Sequence, residues 1–442
     1  MAAKTFRGGV HPPEFKDLTS SSAIENLPPP DRVVVPLVQH IGAPCQPAVT
    51  EETELSKGDE VRLGQKIGDV DAFVSAPVHA PVSGEVADIG SARLSDGRKV
   101  PAVIIDSDGE DRPSEEIEPA GDMRNLSPEE IKGIIREAGI VGMGGAAFPC
   151  HVKYSPPEGN ELDTIVINGC ECEPFLTCDD RLMIEEPGEI VFGLEVIMKA
   201  TGAKRGIIGI EDNKPQAIEA VREAVGDRDF EVVAVQTKYP QGAEKQLIKA
   251  VTGREVPSGG LPLNVGVVVN NVATAASISA AIRTGMPLVE RIVTVSGDVV
   301  ARPANLRVRI GTPIRDLFEF CGGFTESPAR IISGGPLMGQ AIADLDMPIV
   351  KGTSGLLALS SRIVTYEEEE PCIRCGRCVD ICPAYLMPLF TARYPDDEAL
   401  EYNPLDCIEC GSCSYICPAN QRLLPRIRLT KMEAQARQRD EG

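Results

Sequence analysis

Two cysteine-rich runs towards the C-terminal end constrain this chain more than any other feature. Each run has the spacing C-x2-C-x2-C-x3-C followed by proline, and the runs begin thirty-five residues apart. Three closely spaced cysteines hold one face of a cubane iron–sulfur cluster, and the fourth cysteine of each run reaches the cluster of the other run. The pattern therefore predicts two [4Fe–4S] clusters with crossed ligand sets: Cys372, Cys375, Cys378 and Cys417 for one, and Cys407, Cys410, Cys413 and Cys382 for the other.

Zinc is the main alternative for such cysteines. A structural zinc site needs four ligands, usually taken as two separated pairs, whereas each run here supplies four cysteines and ends in proline. The doubled run is the pattern of bacterial two-cluster ferredoxins, so we interpret residues 363–425 as a ferredoxin-like domain. Cluster thiolates require a reducing compartment, which predicts a cytoplasmic location.

The composition limits the partners of the chain. Lys plus Arg number 44 against 66 Asp plus Glu, a net charge of −22 over 442 residues, so no nucleic-acid partner is expected. No run of eighteen apolar residues occurs, and residues 1–4 lead into no apolar segment. The sequence therefore predicts neither a transmembrane helix nor a signal peptide, and any membrane association is expected to go through partner subunits.

Residues 1–120 are predicted to form a loop-rich N-terminal module. From Val33 to Val86, short β-type runs alternate with glycine and proline turns. Two such halves are similar to the barrel-sandwich of biotinyl and lipoyl carriers, which place a modified lysine at a hairpin tip. The stretch between the halves here, residues 71–74, has no lysine. The module is therefore expected to serve structure or docking.

Four apolar runs alternate with helical patterns between residues 121 and 288. Such alternation predicts a parallel sheet covered by helices. Ligands bind such sheets beyond the carboxyl ends of the strands. A further helix is predicted from Pro128 to about Ala138, because Ser127 precedes a proline and two acids. We predict strands at residues 163–168, 206–210, 230–235 and 265–269, and helices at 188–200, 214–225, 243–251 and 272–282.

Polar residues at the predicted strand ends form the candidate binding site. Amide side chains there could bind the donor and acceptor edges of a planar heterocycle, and a nearby lysine could neutralise a phosphate. A glycine-rich loop precedes the first strand, but it follows a helix, whereas an ordinary dinucleotide fingerprint follows a strand. The residues concerned are Gly142, Gly144, Gly145, Lys153, Asn168, Glu171, Glu173, Asn270, Asn271 and Thr274.

In this order the motifs resemble the FMN- and NADH-binding subunit of respiratory complex I. They resemble the C subunit of the Rnf electron transport complex more closely and over nearly the whole chain, with further motifs that begin at Gly9, Gln39, Ser75, Gly209, Ser333 and Lys351. The resemblance implies FMN contacts by the glycine loop, Lys153, Asn168, Glu171, Asn270, Asn271 and Thr274. It places Phe148 and Glu173 near the nicotinamide nucleotide. This chain departs from complex I at residues 242–245, where complex I has an acidic pair.

The resemblance also implies a function and an architecture. The expected protein is a peripheral subunit on the cytoplasmic face of the cell membrane, in which NAD(H), FMN and two [4Fe–4S] clusters exchange electrons. Ferredoxin would donate electrons to the ion-translocating complex. The expected fold is multidomain α/β: a barrel-sandwich-like module, a Rossmann-like flavin domain at 121–288, a β-grasp module with a return segment at 289–362, the ferredoxin-like domain, and a basic tail at 426–442.

Several alternatives remain open on the sequence alone. A cobalamin reductase of a bacterial microcompartment shares the flavin, β-grasp and cluster parts but should lack the motifs at Gly9 and Gln39. An iron–sulfur relay without its own flavin would use the strand-end asparagines only as caps. Cys170, Cys172 and Cys178 are interpreted as buried structural thiols rather than as another metal centre. The basic tail is either a docking segment for an acidic surface or a solvated helix end.

Overall fold

The computed structural model describes residues 4–50, 53–365, 367–394 and 397–441. Residues 1–3, at the start of the first predicted domain, and Gly442, at the end of the predicted tail, lie outside these ranges. Within the described residues, no helix is both long enough and apolar enough to cross a membrane.

The N-terminal module is built from antiparallel strands, apart from its first strand. The strands are β1 (Ile24–Asn26), β2 (Arg32–Pro36), β3 (Gln46–Pro47), β4 (Val49–Thr50), β5 (Thr53–Glu54), β6 (Glu60–Val61), β7 (Lys66–Asp69), β8 (Val78–His79), β9 (Gly84–Arg93) and β10 (Lys99–Ser107). One sheet has the order β2–β10–β9–β6 and a smaller one β3–β7–β8, while β4 and β5 pair antiparallel. Valine, isoleucine and alanine side chains from both sheets share one apolar core.

The second module is an α/β layer structure. Its elements are α1 (Pro128–Glu137), α2 (Cys150–Lys153), β11 (Thr164–Gly169), α3 (Cys178–Glu185), α4 (Pro187–Thr201), β12 (Arg205–Glu211), α5 (Pro215–Val225), β13 (Phe230–Val235), α6 (Glu244–Thr252), β14 (Val267–Asn271) and α7 (Val272–Thr284). The strands are all parallel in the order β13–β12–β11–β14, and apolar clusters cover both faces of the sheet. Each predicted strand and helix of this module has a counterpart whose ends lie within two residues.

Local chemistry explains where these elements begin and end. Ser127 caps α1 in a reciprocal capping box with Glu130, which satisfies two backbone donors that the helix leaves unpaired. The fourth strand begins two residues later than predicted, because a 3-10 turn (Pro262–Val265) precedes it and ends at Gly266 with a φ of 71°. Asn271 ends β14 and caps α7 by accepting a hydrogen bond from the Ala273 N–H at 2.8 Å. Helix α3 was not predicted from the sequence.

The third module is a mixed sheet with one helix. Its elements are β15 (Glu290–Ser296), β16 (Ala304–Arg309), α8 (Ile314–Phe320), β17 (Arg330–Ser333), β18 (Gln340–Ile342) and β19 (Gly355–Leu359). The order is β1–β16–β15–β19–β17–β18. Strand β1 pairs parallel with β16, so this early part of the chain belongs to the sheet of the third module, although the prediction grouped it with residues 1–120. The predicted return segment supplies β19 to the middle of the sheet.

The fourth module carries the cysteine runs on short helices and loops. Its helices are α9 (Arg377–Asp380), α10 (Pro388–Thr391), α11 (Ser412–Tyr415) and α12 (Leu423–Glu441). The predicted basic tail is part of α12, which packs on the module through the buried residues Leu423 and Ile427. Basic side chains of α12 are used within the chain: Arg426 pairs with Glu369, and Arg428 and Lys431 pair with Glu409.

Candidate flavin and iron–sulfur sites

The carboxyl ends of β11 and β14 form the crevice in which a sheet of this topology binds ligands. Strand β12 follows β11 along the chain and lies on one side of it, whereas β14 lies on the other side. A ligand-binding crevice forms where the strand order reverses in this way. Asn168 of β11 and Asn271 of β14 are register partners. The two predicted strand ends therefore meet at one place.

The glycine loop lies against this crevice. The Gly142 N–H donates to the Phe148 carbonyl at 2.9 Å, and the Met143 N–H donates to Thr274 Oγ1 at 2.9 Å. A Cβ atom at Gly144 would meet Asn271 at 3.0 Å, whereas one at Gly145 would meet nothing within 4 Å. The loop therefore presents a small, open stretch of backbone beside Asn271, and concave stretches of backbone N–H groups are suited to phosphate.

Asn270 leaves a buried donor without a protein partner. The Tyr154 hydroxyl donates to Asn270 Oδ1 at 2.8 Å, while Asn270 Nδ2 has no hydrogen-bond partner among the described residues. Buried amide groups are nearly always hydrogen-bonded, so this donor fits a polar edge of a bound cofactor. Lys153 Nζ donates to the Val269 carbonyl at 3.2 Å and lies 3.6 Å from the Glu244 carboxylate. A lysine, an open glycine loop and an unpartnered amide donor fit FMN.

Two predicted contact residues hydrogen-bond within the protein and shape the crevice. Asn168 Nδ2 donates to the Gly242 carbonyl at 2.8 Å, and Asn168 Oδ1 accepts from the Cys170 N–H at 3.1 Å. The Glu171 carboxylate accepts two backbone N–H groups in the first turn of α3, from Asp179 at 2.8 Å and Asp180 at 3.1 Å. Glu171 therefore orients α3 towards the crevice.

Asp179 belongs to the site but was not found by sequence reasoning. Its carboxylate accepts a hydrogen bond from Asn271 Nδ2 at 2.6 Å, and the ligand atoms of Glu171, Cys178 and Asp179 lie within 4.8 Å of one another. Loss of hydration and the charge of Glu171 raise the pKa of Asp179 to about 7. The available signal was the pair of acids in the first turn of α3, a helix too short and too irregular in its apolar pattern to be predicted.

Glu173 hydrogen-bonds to a loop of the third module rather than to the residues of the crevice. Its carboxylate accepts hydrogen bonds from the Leu337 N–H at 3.0 Å and the Met338 N–H at 2.8 Å, in the loop between β17 and β18. A Cβ atom at Gly335 would lie 2.4 Å from this carboxylate, so a side chain there would displace Glu173. Loss of hydration raises the pKa of Glu173 to about 7. Phe148 is partly buried and closes the glycine loop through its carbonyl.

The three other cysteines near the crevice differ in burial. Cys170 and Cys178 are buried, and loss of hydration raises the pKa of both thiols. The Cys178 thiol donates to the Ser354 carbonyl at 3.3 Å. Cys172 is half-buried, and its sulfur accepts a hydrogen bond from the Gly242 N–H at 3.4 Å.

Each predicted set of four cluster cysteines lines one cavity. We call Cys382, Cys407, Cys410 and Cys413 the inner set, and Cys372, Cys375, Cys378 and Cys417 the outer set. In both cavities the fourth cysteine comes from the other run, as crossed ligation requires. Four thiols around one small cavity fit a [4Fe–4S] cluster.

The two sets differ in their surroundings. Within the inner set Cys382, Cys410 and Cys413 are buried, whereas Cys372 and Cys375 of the outer set are exposed. The inner set lies against the second module: the Tyr239 hydroxyl donates to the Cys410 carbonyl at 2.8 Å. Cys172, one residue after Glu171, packs in the same apolar cluster as Cys410. The inner set is thus joined to the crevice, and the outer set faces solvent.

A flavin-type crevice joined to two cluster sites defines a flavin- and iron–sulfur-dependent electron-transfer protein. Family models match in the same order as the modules. They are the RnfC barrel sandwich hybrid domain at residues 4–110, the Nuo51 FMN-binding domain at 135–280, the SLBB domain at 292–341 and the 4Fe-4S dicluster domain at 371–421.

Curated relatives match along almost the whole length. The chain is 50% identical over 98% of its length to the C subunit of the proton-translocating ferredoxin:NAD(+) oxidoreductase complex of Clostridium ljungdahlii, of which it covers 94%. It is 46% identical over 98% of its length to the Na(+)-translocating counterpart of Acetobacterium woodii, of which it covers 98%. The chain therefore belongs to the RnfC family, the C subunits of ion-translocating Rnf complexes.

These matches favour the Rnf family over the microcompartment cobalamin reductase. A solved structure, the NAD+-reducing [NiFe]-hydrogenase in the H2-reduced state, aligns over 73% of this chain and 64% of that chain. Its sequence identity is 20% and its TM-score 0.49.

Proposed function

We propose that this chain is the peripheral subunit of an ion-translocating ferredoxin:NAD(+) oxidoreductase complex that reacts with NAD(H). It acts at the cytoplasmic face of the membrane, bound to the other subunits of the complex, and ferredoxin is the electron donor to the complex. Family membership over 98% of the chain supports this proposal. The observation that carries it is the hydrogen-bonded contact of the inner cysteine set with the module that holds the crevice.

The chain's own residues bind and orient the cofactor. Bound FMN supplies the conversion between hydride chemistry with NAD(H) and one-electron transfer to iron–sulfur clusters. The loop of Gly144 and Gly145, with Lys153, holds the phosphate, and Asn270 donates its free amide hydrogen to a polar edge of the cofactor. Thr274 accepts a hydrogen bond from the glycine loop, and Asn271 packs beside Gly144. Asn168, Glu171 and Asp179 keep the loops around the crevice in place.

Electrons pass through the two cluster sites in sequence. The inner set, in contact with the second module, would hold the cluster that exchanges electrons with the flavin, and the outer set, with Cys372 and Cys375 exposed, would hold the cluster that exchanges electrons with a partner subunit. We further propose that the second module is Rossmann-like and the third a β-grasp. Support comes from the parallel order β13–β12–β11–β14 and from helix α8 packed on a mixed sheet.

Anaerobic purification with iron, sulfide and flavin quantified together tests the proposal. We expect about eight irons with one FMN per chain, and bleaching of both chromophores on titration with NADH. A cluster relay without flavin would release no FMN and would not respond to NADH. That outcome would overturn the assignment of the crevice, whatever the iron content.

Gly145→Ala tests the crevice itself. A Cβ atom there meets no protein atom within 4 Å, so the fold should tolerate it, but the atom would occupy the space assigned to the phosphate. We expect FMN affinity to fall at least tenfold, about 1.4 kcal/mol, with little change in the melting temperature of the flavin-free protein. Gly133→Ala, at an exposed position of α1 with equally open space, is the matched control and should leave affinity unchanged.

A further inference from the structure

Tyr239 lies where the second module, the N-terminal segment and the fourth module meet. The side chain is 1% exposed, and its hydroxyl donates to the Cys410 carbonyl at 2.8 Å. Its backbone exchanges two hydrogen bonds of 2.8 Å with Val10, and the adjacent Gly9 N–H donates to the carbonyl of Ile381, just before Cys382. Tyr239 is therefore held on one side by the crevice module and on the other by segments that carry two ligands of the inner set.

The hydroxyl of Tyr239 also faces the Glu173 carboxylate, which is itself fixed by the backbone of Leu337 and Met338. The ring cannot turn away, because it packs in an apolar cluster with Val10 and Cys410. The position of the Tyr239 hydroxyl is thus set by groups from three modules, and it hydrogen-bonds to the carbonyl of a cluster ligand.

We propose that Tyr239 is a positioning residue for the inner cluster: its hydroxyl holds Cys410 against the crevice module and raises the reduction potential of the inner cluster above that of a site without this bond. Reduction adds a negative charge to a cluster, and hydrogen bonds and local charges around the ligands set the potential. The counterpart of Cys410 in the outer set is Cys375, which is exposed. The inference rests on the proposed function in that it requires both clusters to be bound.

Redox titration of Tyr239→Phe, followed by electron paramagnetic resonance, tests the proposal. The substitution removes one oxygen atom and keeps the ring. We expect the reduction of the inner cluster to become up to tenfold less favourable, which is 59 mV for a one-electron couple, while the outer cluster keeps its potential. Titration of Cys375→Ser, which keeps all inner ligands, assigns the signals.

Tyr385→Phe is the matched control. Tyr385 also lies beside the inner set, three residues after Cys382, but it is 61% exposed and its hydroxyl makes no hydrogen bond to the residues that the structure describes. Neither cluster should shift in this variant.

The outcomes separate the inference from the function on which it rests. A wild-type chain with no pair of clusters overturns both. Two clusters whose potentials are unchanged in Tyr239→Phe overturn the inference alone, and so does an equal shift of both clusters, because a general loosening of the fourth module would produce it. A shift confined to the inner cluster, with the melting temperature within a few degrees of wild type, supports the inference.

Discussion

The inner and outer cysteine sets have nearly the same backbone and different neighbours. The residue two places after the first cysteine of each run is left-handed in both, with φ of 56° at Arg374 and 57° at Glu409, and the glycines after the second cysteines have φ of 79° at Gly376 and 76° at Gly411. Cysteine spacing thus determines the geometry of each loop. In the proposed function, the packing around the loop then decides whether a site exchanges electrons within the chain or with a partner.

The charged side chains of the two cysteine loops also have different neighbours. Glu409, in the inner loop, pairs with Arg428 and Lys431, and Lys431 Nζ also donates to the Cys407 carbonyl at 2.7 Å. Arg374 and Arg377 in the outer loop are exposed and make no ion pair with any described residue. The charges of the inner loop are used to hold the module together. Those of the outer loop remain available to a surface outside the chain, as expected for a site that exchanges electrons with a partner.

Removal of one cysteine ligand from each set should give the largest difference between the two sites, measured as the rate at which NADH reduces the remaining cluster. We expect Cys410→Ser and Cys375→Ser each to lose or alter one cluster. In Cys375→Ser the inner cluster should still be reduced by NADH at the wild-type rate. In Cys410→Ser the outer cluster should receive electrons from NADH at least tenfold more slowly. Stopped-flow absorbance with freeze-quenched paramagnetic resonance measures both rates, and reduction of the outer cluster in Cys410→Ser at the wild-type rate would contradict the order of the sites.

A substitution in the N-terminal segment should weaken the packing around the inner set without changing a cluster ligand. Gly8 has a φ of +88°, and a Cβ atom there would lie 2.8 Å from the Ile381 carbonyl oxygen. We expect Gly8→Ala to destabilise this contact by about 1–3 kcal/mol and to slow electron transfer from flavin to the inner cluster severalfold. Calorimetry and stopped-flow reduction by NADH measure the two effects.

Gly97→Ala is the control that separates the effect of backbone strain from the effect of the steric clash at Gly8. Gly97 has a φ of +84° but nothing within 4 Å of the added atom, and it lies in the turn between β9 and β10. It should share the strain of a left-handed residue and leave electron transfer unchanged. An equal loss of electron-transfer rate in both variants would show that Gly8 does not act through its contact with the fourth module.

Controlled oxidation compares the two sets in one sample. Oxidative damage to cluster thiolates depends on exposure, and Cys372 and Cys375 are exposed whereas Cys382, Cys410 and Cys413 are buried. With limiting ferricyanide we expect the outer cluster to be lost a fewfold faster than the inner one. Iron release followed against the two paramagnetic signals measures this, and loss of the inner cluster first would argue against the assigned burial.

Sequence patterns predicted what depends on spacing along the chain. The cysteine runs give crossed ligand sets, and the alternation of strands and helices brings Asn168 and Asn271 to one edge. Contacts between distant segments were not predictable. Lys351, for example, is buried and donates to the carbonyls of Pro77 and Gly139 at 2.7 Å each, while its N–H donates to Gln39 at 3.0 Å.

These contacts give several motifs a physical meaning. The motifs that begin at Gly9, Gln39, Ser75, Ser333 and Lys351 contain residues that join modules rather than residues of the crevice. Tyr239 and Asp179 were missed for the same reason. Each has its role only because a segment more than ninety residues away lies against it, and no local pattern records such a neighbour.

The smallest effect should come from Glu173, beside Tyr239. Its pKa is raised from 4.5 to about 7, mainly by loss of hydration. Between these values the folded chain binds more protons than the unfolded chain, so this group makes the wild type less stable as pH rises from 5 to 8, by roughly 1–3 kcal/mol. Glu173→Gln cannot ionise and should lack that loss. The melting temperature of Glu173→Gln minus that of wild type should therefore increase by a few degrees from pH 5 to pH 8.

Glu158→Gln, at an exposed position, should show no such trend and serves as the control in the same scans. If Glu173→Gln and wild type keep a constant difference across this pH range, the carboxyl is ionised in the folded protein throughout. Water would then have to reach the junction of the three modules. The inner site would be less enclosed than its packing indicates, and its contrast with the outer site would rest on Tyr239 and the N-terminal segment alone.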